Sequence, residues 1–325
     1  MPEPRAGRPL RCVVLDDYQA VVARIGPWDR LAGRVDLDIE TRHIAGRAAL
    51  TARLEAADIV LANRERTALD AALLAALPRL RLVVTTGMRN AAIDMAAARA
   101  RGIDVCGTGN AGEPTVELTW ALILGLCRHL VDEANRLRGG GWQATLGLGL
   151  DGRVLGLVGL GRVGTGVARV GRAFGMKVVA WSPNLTPERA AAAGVTMAPD
   201  LPGLFAAADI VSLHAALTEQ SRGLVGKALL AAMRPTALLV NTARAGLVDE
   251  AALLEALEAG RIAGAGLDVF SSEPLPAGHP LLARPDVLAT PHLGYVTADN
   301  YSRYFGDAVE DIEAWLAGAP VRLLN

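Results

Sequence analysis

Short apolar runs, many of them β-branched, alternate along the chain with Ala- and Leu-rich stretches whose apolar positions recur at helical spacing. In the first third, the runs at 12–15, 59–62, 82–85 and 103–106 predict strands, with helical segments such as 70–77 and 94–100 between them. Strands that are apolar throughout, separated by helices, predict a parallel sheet covered on both faces. An apolar helix is predicted from Thr115 to about Leu130, then a glycine-rich loop from Gly139 to Gly152 leading into a new unit. There the alternation resumes, with strands predicted at 154–158, 177–181, 210–213, 237–241, 266–269 and 287–290. The chain ends in an amphipathic segment. Its Tyr301, Tyr304, Phe305, Ala308, Ile312, Trp315 and Leu316 fall on one helical face, which predicts a packing surface.

Composition narrows the class. A length of 325 residues predicts two domains, and 51% apolar content supports a sizeable core and excludes disorder as the main state. The 33 basic and 34 acidic residues nearly cancel, which argues against nucleic acid or an anionic membrane as partner. No apolar run approaches the ~20 residues that span a bilayer, and the N-terminal stretch has no apolar core of the kind a secretory leader carries. Cys12, Cys106 and Cys127 are too few and too dispersed for a disulfide framework or a zinc site. A reducing, cytoplasmic setting and no metal are the expectations.

The sharpest local signal is a glycine loop. The apolar run Val154–Val158 leads directly into Gly159-Leu160-Gly161-Arg162-Val163-Gly164, and Val163, Val167, Val170 and Phe174 then mark a helical face. G-x-G-x-x-G at a strand-to-helix turn is the setting in which the pattern carries chemistry. Gly159 permits the tight turn, Gly161 lets backbone approach a pyrophosphate, and Gly164 lets helix and strand pack closely. The helix N-terminus then offers N–H groups and a positive dipole end to phosphate. Dinucleotides of this class usually meet an acid about 20 residues further on, which grips the ribose hydroxyls. Here that place holds Ser182, with no arginine immediately after it and Arg189 the nearest downstream. The choice between NAD and NADP stays partly open, and the missing positive partner favours NAD.

Four further segments are similar to those of the D-isomer-specific 2-hydroxyacid dehydrogenase family. They are Asp209–His214, Val240–Gly246, Gly266–Phe270 with Glu273-Pro274, and Thr290–Gly294, in that order after the glycine loop. The resemblance implies two doubly wound α/β domains, a Rossmann-type cofactor domain at 108–293 inserted into a flavodoxin-like substrate domain made of 1–107 and 294–325. It implies a cleft between them, NAD as cofactor, a small 2-hydroxy or 2-oxo acid as substrate, and a homodimer through the long helix near 115–130. By motif, Arg244 matches the substrate-orienting arginine, Glu273 and His292 the acid–base pair, and Asp268 the carboxylate near the nicotinamide end. The expected cofactor set is Gly159, Gly161, Arg162, Val163, Gly164, Ser182, His214, Thr242 and Asp268.

Those residue types suit the chemistry. Imidazole exchanges a hydroxyl proton near neutral pH, and a neighbouring carboxylate orients it. A guanidinium grips a carboxylate through two parallel hydrogen bonds. The chain departs from the family pattern in the segment Thr86-Gly87-Met88-Arg89-Asn90, which aligns with a loop that binds the substrate carboxylate through backbone N–H groups. Arg89 stands where the family has glycine. Gly87, Met88 and Arg89 are therefore expected substrate contacts, with Arg89 either adding a cation for a second acidic group or standing outward as a solvated charge. Arg64 lies on the same side, where a solvated surface role is the expectation. The leading expectation is an NAD-dependent dehydrogenase acting on CH–OH donors. A dinucleotide-sensing, corepressor-like regulator on the same scaffold is the alternative, and the absence of long added tails favours the enzyme.

Overall fold

The apolar runs become the strands of two sheets in the computed structural model, which describes residues 8–325. Residues 1–7, on which the reading of the N-terminus partly rests, lie outside the described residues. Contacts divide the chain into two units, one running to Gly112 and resuming over Val296–Asn325, the other Glu113–Tyr295.

In the first unit, β1 (Leu10–Val14), β2 (Val35–Ile39), β3 (Ile59–Ala62), β4 (Leu82–Thr85) and β5 (Asp104–Gly107) form a parallel sheet in the order β2-β1-β3-β4-β5. This is the flavodoxin-like doubly wound order. β2 was not predicted, and its sequence VDLDI explains why. It is an edge strand whose alternate positions carry aspartate, and Asp38 is accommodated by Arg11 Nε at 2.9 Å and Arg53 Nη1 at 2.9 Å. The C-terminal helix Ala298–Leu316 returns to this unit. Tyr301, Tyr304, Phe305, Ala308 and Ile312 of its predicted face are buried, and Trp315 Nε1 donates to Asp104 at 2.8 Å.

In the second unit, β6 (Val154–Val158), β7 (Lys177–Trp181), β8 (Thr196–Met197), β9 (Ile210–Leu213), β10 (Leu238–Asn241), β11 (Gly264–Leu267) and β12 (Val287–Ala289) are all parallel, in the order β12-β11-β10-β9-β6-β7-β8. From β6 the chain winds outward through β7 to β8, then crosses to β9 on the other side of β6. That reversal is the topological switch point at which such sheets bind ligands. Successive residues of β10 enter separate cores, Leu239 one and Leu238 and Val240 the other, so both faces are covered. The predicted helix to about Leu130 instead ends at Cys127. His129 takes a left-handed conformation (φ 48°) and a second helix, Leu130–Arg138, begins. Among the described residues no helix is long and apolar enough to cross a membrane.

Candidate active site

Register alone gathers the predicted residues of the second unit. Trp181 pairs with Val158, Val158 with Leu213, Leu213 with Asn241, Asn241 with Leu267 and Leu267 with Ala289. Ser182, the glycine loop, His214, Thr242 with Arg244, Asp268, and Thr290 with His292 all follow that row within a few residues. They share the C-terminal edge of one sheet.

The glycine loop has the shape a dinucleotide requires. Gly159 has φ +100°, and a Cβ there would lie 2.7 Å from backbone of His214 and Ala215. A Cβ on Gly164 would lie 2.2 Å from the Gly159 carbonyl oxygen, whereas one on Gly161 would meet nothing within 4 Å. The first and third glycines are thus fixed by the protein's own packing, and the second faces open space. No side chain caps the helix Arg162–Ala173, so its N-terminal N–H groups are presented to a ligand. The residues fit a pyrophosphate.

His214 forms part of this framework rather than an acid or base. Its N–H donates to Val158 O at 2.7 Å, and its Nε2 lies 2.9 Å from Ser212 Oγ. Burial holds its imidazole down at about 4, so it is neutral at neutral pH. The unfolded chain takes up that proton near 6.5, so the stability it carries is present above 6.5 and is lost as pH falls toward 4. A shift of this size corresponds to at most roughly 3 kcal/mol. Urea unfolding at pH 7 and pH 4.5 is expected to show a pH-dependent loss that His214→Gln reduces. An equal loss in both proteins would show that His214 is not its source.

The proton-handling pair is built by contacts across a short loop. Glu273 Oε2 lies 2.7 Å from His292 Nδ1, and Glu273 Oε1 accepts from Phe270 N at 2.9 Å. A carboxylate only accepts, so Nδ1 carries the hydrogen and Nε2 is left to exchange a proton. The His292 ring also meets Tyr295 edge-on, with centroids 5.6 Å apart. His292 has φ +53°, a left-handed conformation that costs free energy in a non-glycine residue.

Asp268 holds that conformation. It is buried beneath the loop, accepting from Thr290 Oγ1 (2.7 Å), Leu293 N (2.7 Å) and Gly294 N (2.8 Å). Burial pushes its carboxyl up against the opposing pull of these hydrogen bonds and of His292. Arg244 sits on a turn clipped by Asn241, whose Nδ2 donates to Arg244 O at 3.0 Å and whose Oδ1 accepts from Ala243 N at 3.0 Å. Arg244 Nη1 donates to Ala243 O at 2.6 Å.

In the first unit, the loop after β4 is pinned at both ends. Gly87 N donates to Thr108 Oγ1 at 2.8 Å, and Asn90 Nδ2 donates to Arg64 O at 2.7 Å and Thr85 Oγ1 at 2.8 Å. Gly87 has φ +93°, and a Cβ there would fall 1.8 Å from Arg64 Nη1. Arg64 therefore lies against the loop, its Nη1 donating to Thr86 O at 3.2 Å, not out in solvent. Arg89 is absent from the positions with positive φ, so the loop does not need the family's glycine there. Met88 and Arg89 are exposed.

Comparison with known proteins decides the family. Residues 120–294 match the NAD binding domain of the D-isomer specific 2-hydroxyacid dehydrogenases. Glyoxylate reductase of Aeropyrum pernix is 38% identical over 79% of this chain and 80% of its own length. The chain belongs to the D-isomer specific 2-hydroxyacid dehydrogenase family. D-3-phosphoglycerate dehydrogenase of Mycobacterium bovis is 39% identical over 86% of this chain, which spans about half (53%) of that relative's length. The solved phosphoglycerate oxidoreductase of Vibrio cholerae superposes with a TM-score of 0.90, at 36% identity, covering 96% of this chain and 100% of its own.

This dehydrogenase-family site includes residues that the motifs did not reveal. Thr115 Oγ1 donates to Gly294 O at 2.7 Å, Thr119 Oγ1 donates to Thr115 O at 2.7 Å and also lies 2.7 Å from Thr242 Oγ1. One face of the helix Pro114–Cys127 thus ties the loop after β12 to the loop after β10. The available signal was two threonines four residues apart in a helix whose one charged residue is Glu117. Thr242, expected beside the cofactor, is buried in this ladder.

Proposed function

We propose that the chain is an oxidoreductase that interconverts a 2-hydroxy acid and a 2-oxo acid with NAD(H). In this reading the second unit is the cofactor domain and the first the substrate domain. The reading is carried by the Glu273–His292 pair, which stands on the same strand-end row as a glycine loop shaped for a pyrophosphate. NAD(H), when bound, supplies or accepts the hydride. His292 Nε2 takes the hydroxyl proton in oxidation and returns it in reduction, while Glu273 keeps the proton on Nδ1 and the ring in place. Arg244 holds the substrate carboxylate and polarises the adjoining carbonyl. In the first unit Met88 offers its backbone N–H to a substrate carboxylate, while Gly87, whose N–H is given to Thr108 Oγ1, shapes the loop. Asp268 positions the His292 loop through its bonds to Thr290, Leu293 and Gly294.

Exposed Arg89, with Arg64 beside its loop, favours a substrate with a second anionic group. In an assay with NADH, 2-oxo acids bearing a second carboxylate or a phosphate are expected to outrun simple monoacids. Arg89→Ala should erase about tenfold of that preference, the size of one charge-assisted contact. Unchanged selectivity would remove Arg89 from the site. Tight NADH binding with no turnover of any 2-oxo acid would replace the enzyme by a dinucleotide-sensing regulator.

The chain is further proposed to be a cytoplasmic homodimer. Leu130, Val131, Leu137, Trp142 (74% exposed) and Leu146 (94% exposed) leave an apolar surface on the second unit. Beside them a groove of about 760 Å³, lined by Cys127, Val131, Leu146, Leu238 and Leu288, opens where β10 and β12 begin, opposite the site edge. A second copy is the occupant that the family resemblance supports, and sedimentation of the assayed protein is expected to give twice the chain mass.

A further inference from the structure

The adenosine end of the dinucleotide site holds a cation that the sequence places seven residues beyond the expected position. β7 ends at Trp181, and from 176 to 187 the chain has no Asp or Glu. Ser182 follows the strand. A hydroxyl neither accepts from both ribose hydroxyls as a carboxylate does, nor repels a 2′-phosphate. The turn after it brings Arg189 back. Leu185 N donates to Ser182 O at 3.1 Å, reversing the chain, and the short helix Pro187–Ala192 then carries Arg189 over the turn. Its Nη1 donates to Asn184 O at 2.8 Å and its Nη2 to Leu160 O at 3.4 Å. Leu160 is a residue of the glycine loop, and its neighbour Gly159 donates to Trp181 O at 2.8 Å. The strand end that carries Ser182 and the Arg189 guanidinium are therefore tethered to adjacent residues of that loop, Trp181 to Gly159 and Arg189 to Leu160. Two backbone carbonyls fix the guanidinium and leave Nε–H and one N–H on each terminal nitrogen to donate. The first acid of this segment, Glu188, is exposed and engaged with Thr186 and its own backbone.

We propose that Ser182 and Arg189 form a 2′-phosphate subsite, so that this chain binds NADP(H) at least as tightly as NAD(H). A guanidinium held in place meets phosphate through charge-assisted, paired hydrogen bonds, and the serine hydroxyl donates to the same group. The inference rests on the dinucleotide reading of the glycine loop and not on turnover.

The test is binding without any 2-oxo acid. The full chain is titrated with NADPH and with NADH, read by calorimetry and by tryptophan fluorescence, which Trp181 beside Ser182 supplies. The expected result is an NADPH dissociation constant no larger than that for NADH. Arg189→Ala should raise the NADPH-to-NADH ratio of constants about tenfold, and Ser182→Asp, which puts a negative charge against the phosphate, about a hundredfold. Arg189→Lys should fall between parent and alanine variant, since it keeps the charge and loses the fork. NADPH binding about tenfold or more weaker than NADH in the parent would overturn the proposal. So would an Arg189→Ala variant that weakens both dinucleotides equally, which would make the arginine a clip for the turn. If Arg189→Ala fails to fold, Ser182→Asp decides alone. Strong binding of both dinucleotides without turnover would defeat the enzymatic reading and leave this one standing, and binding of neither would defeat both.

Discussion

Replacing His292 with alanine is expected to lower kcat by roughly 10²–10⁴-fold, the range that a positioned general acid–base supplies, while the NADH dissociation constant moves by no more than about threefold. The two readouts separate because the phosphate-binding loop and His292 sit at different strand ends, Gly159 after β6 and His292 after β12. The alanine variant alone leaves one ambiguity. His292 occupies a left-handed backbone position (φ +53°), so its loss can act through the shape of the 290–294 loop as well as through the missing ring. His292→Asn resolves it, because asparagine tolerates that conformation better than most residues yet cannot exchange a proton at neutral pH. The asparagine variant should keep the parent melting temperature within a few degrees and show the same loss of kcat as alanine. Recovery of kcat in His292→Asn would make the residue structural, and the acid–base assignment would fall. Glu273→Gln should cost less, about tenfold, since the amide oxygen still accepts from Nδ1–H at the 2.7 Å contact while the balancing negative charge is lost.

How far the chain discloses its site depends on the range of the interaction concerned. Strands buried on both faces announce themselves, because every residue of β3, β4, β9 and β10 is buried and the sequence is apolar accordingly. The edge strand β2 does not, because it carries an exposed Asp36 and an Asp38 that is accommodated by Arg11 and Arg53 from elsewhere in the fold. The break after Cys127 was equally hidden, since it depends on the backbone of His129 and the apolar pattern continues through Leu130. At the site, the glycine loop was legible from spacing, since its geometry is local. Glu273 and His292 are 19 residues apart, and only resemblance to a family joined them before the 2.7 Å contact could be seen. Arg189 was set aside because linear distance from Ser182 says nothing of a turn that folds back. Arg64, read as a surface charge, is held against Gly87 by packing that sequence does not display.

Arg244→Ala is expected to lower kcat/KM by roughly 10²–10⁴-fold, divided between a higher KM and a lower kcat. The magnitude follows from the chemistry. A bidentate guanidinium–carboxylate contact supplies two charge-assisted hydrogen bonds, each about 1.5–3 kcal/mol when made to an ionised group, and about 1.4 kcal/mol is a factor of ten. Binding of the ground state accounts for the KM part. The kcat part arises because the same guanidinium opposes charge that grows on the carbonyl oxygen during hydride transfer, a stabilisation made only in the transition state. Arg244→Lys separates the two. Lysine keeps the positive charge but not the planar fork, so KM should recover only in part while kcat recovers further. The turn itself is held by the Asn241 side chain and the Ala243 carbonyl, which supports Arg244 without touching substrate. Asn241→Ala should therefore lower kcat/KM in the same direction by a smaller factor, about tenfold, and its effect should largely vanish in an Arg244→Ala background, because a positioning residue has nothing left to position. Additive losses in the double variant would separate the two residues, and parent values of both KM and kcat in Arg244→Ala would remove the arginine from the site.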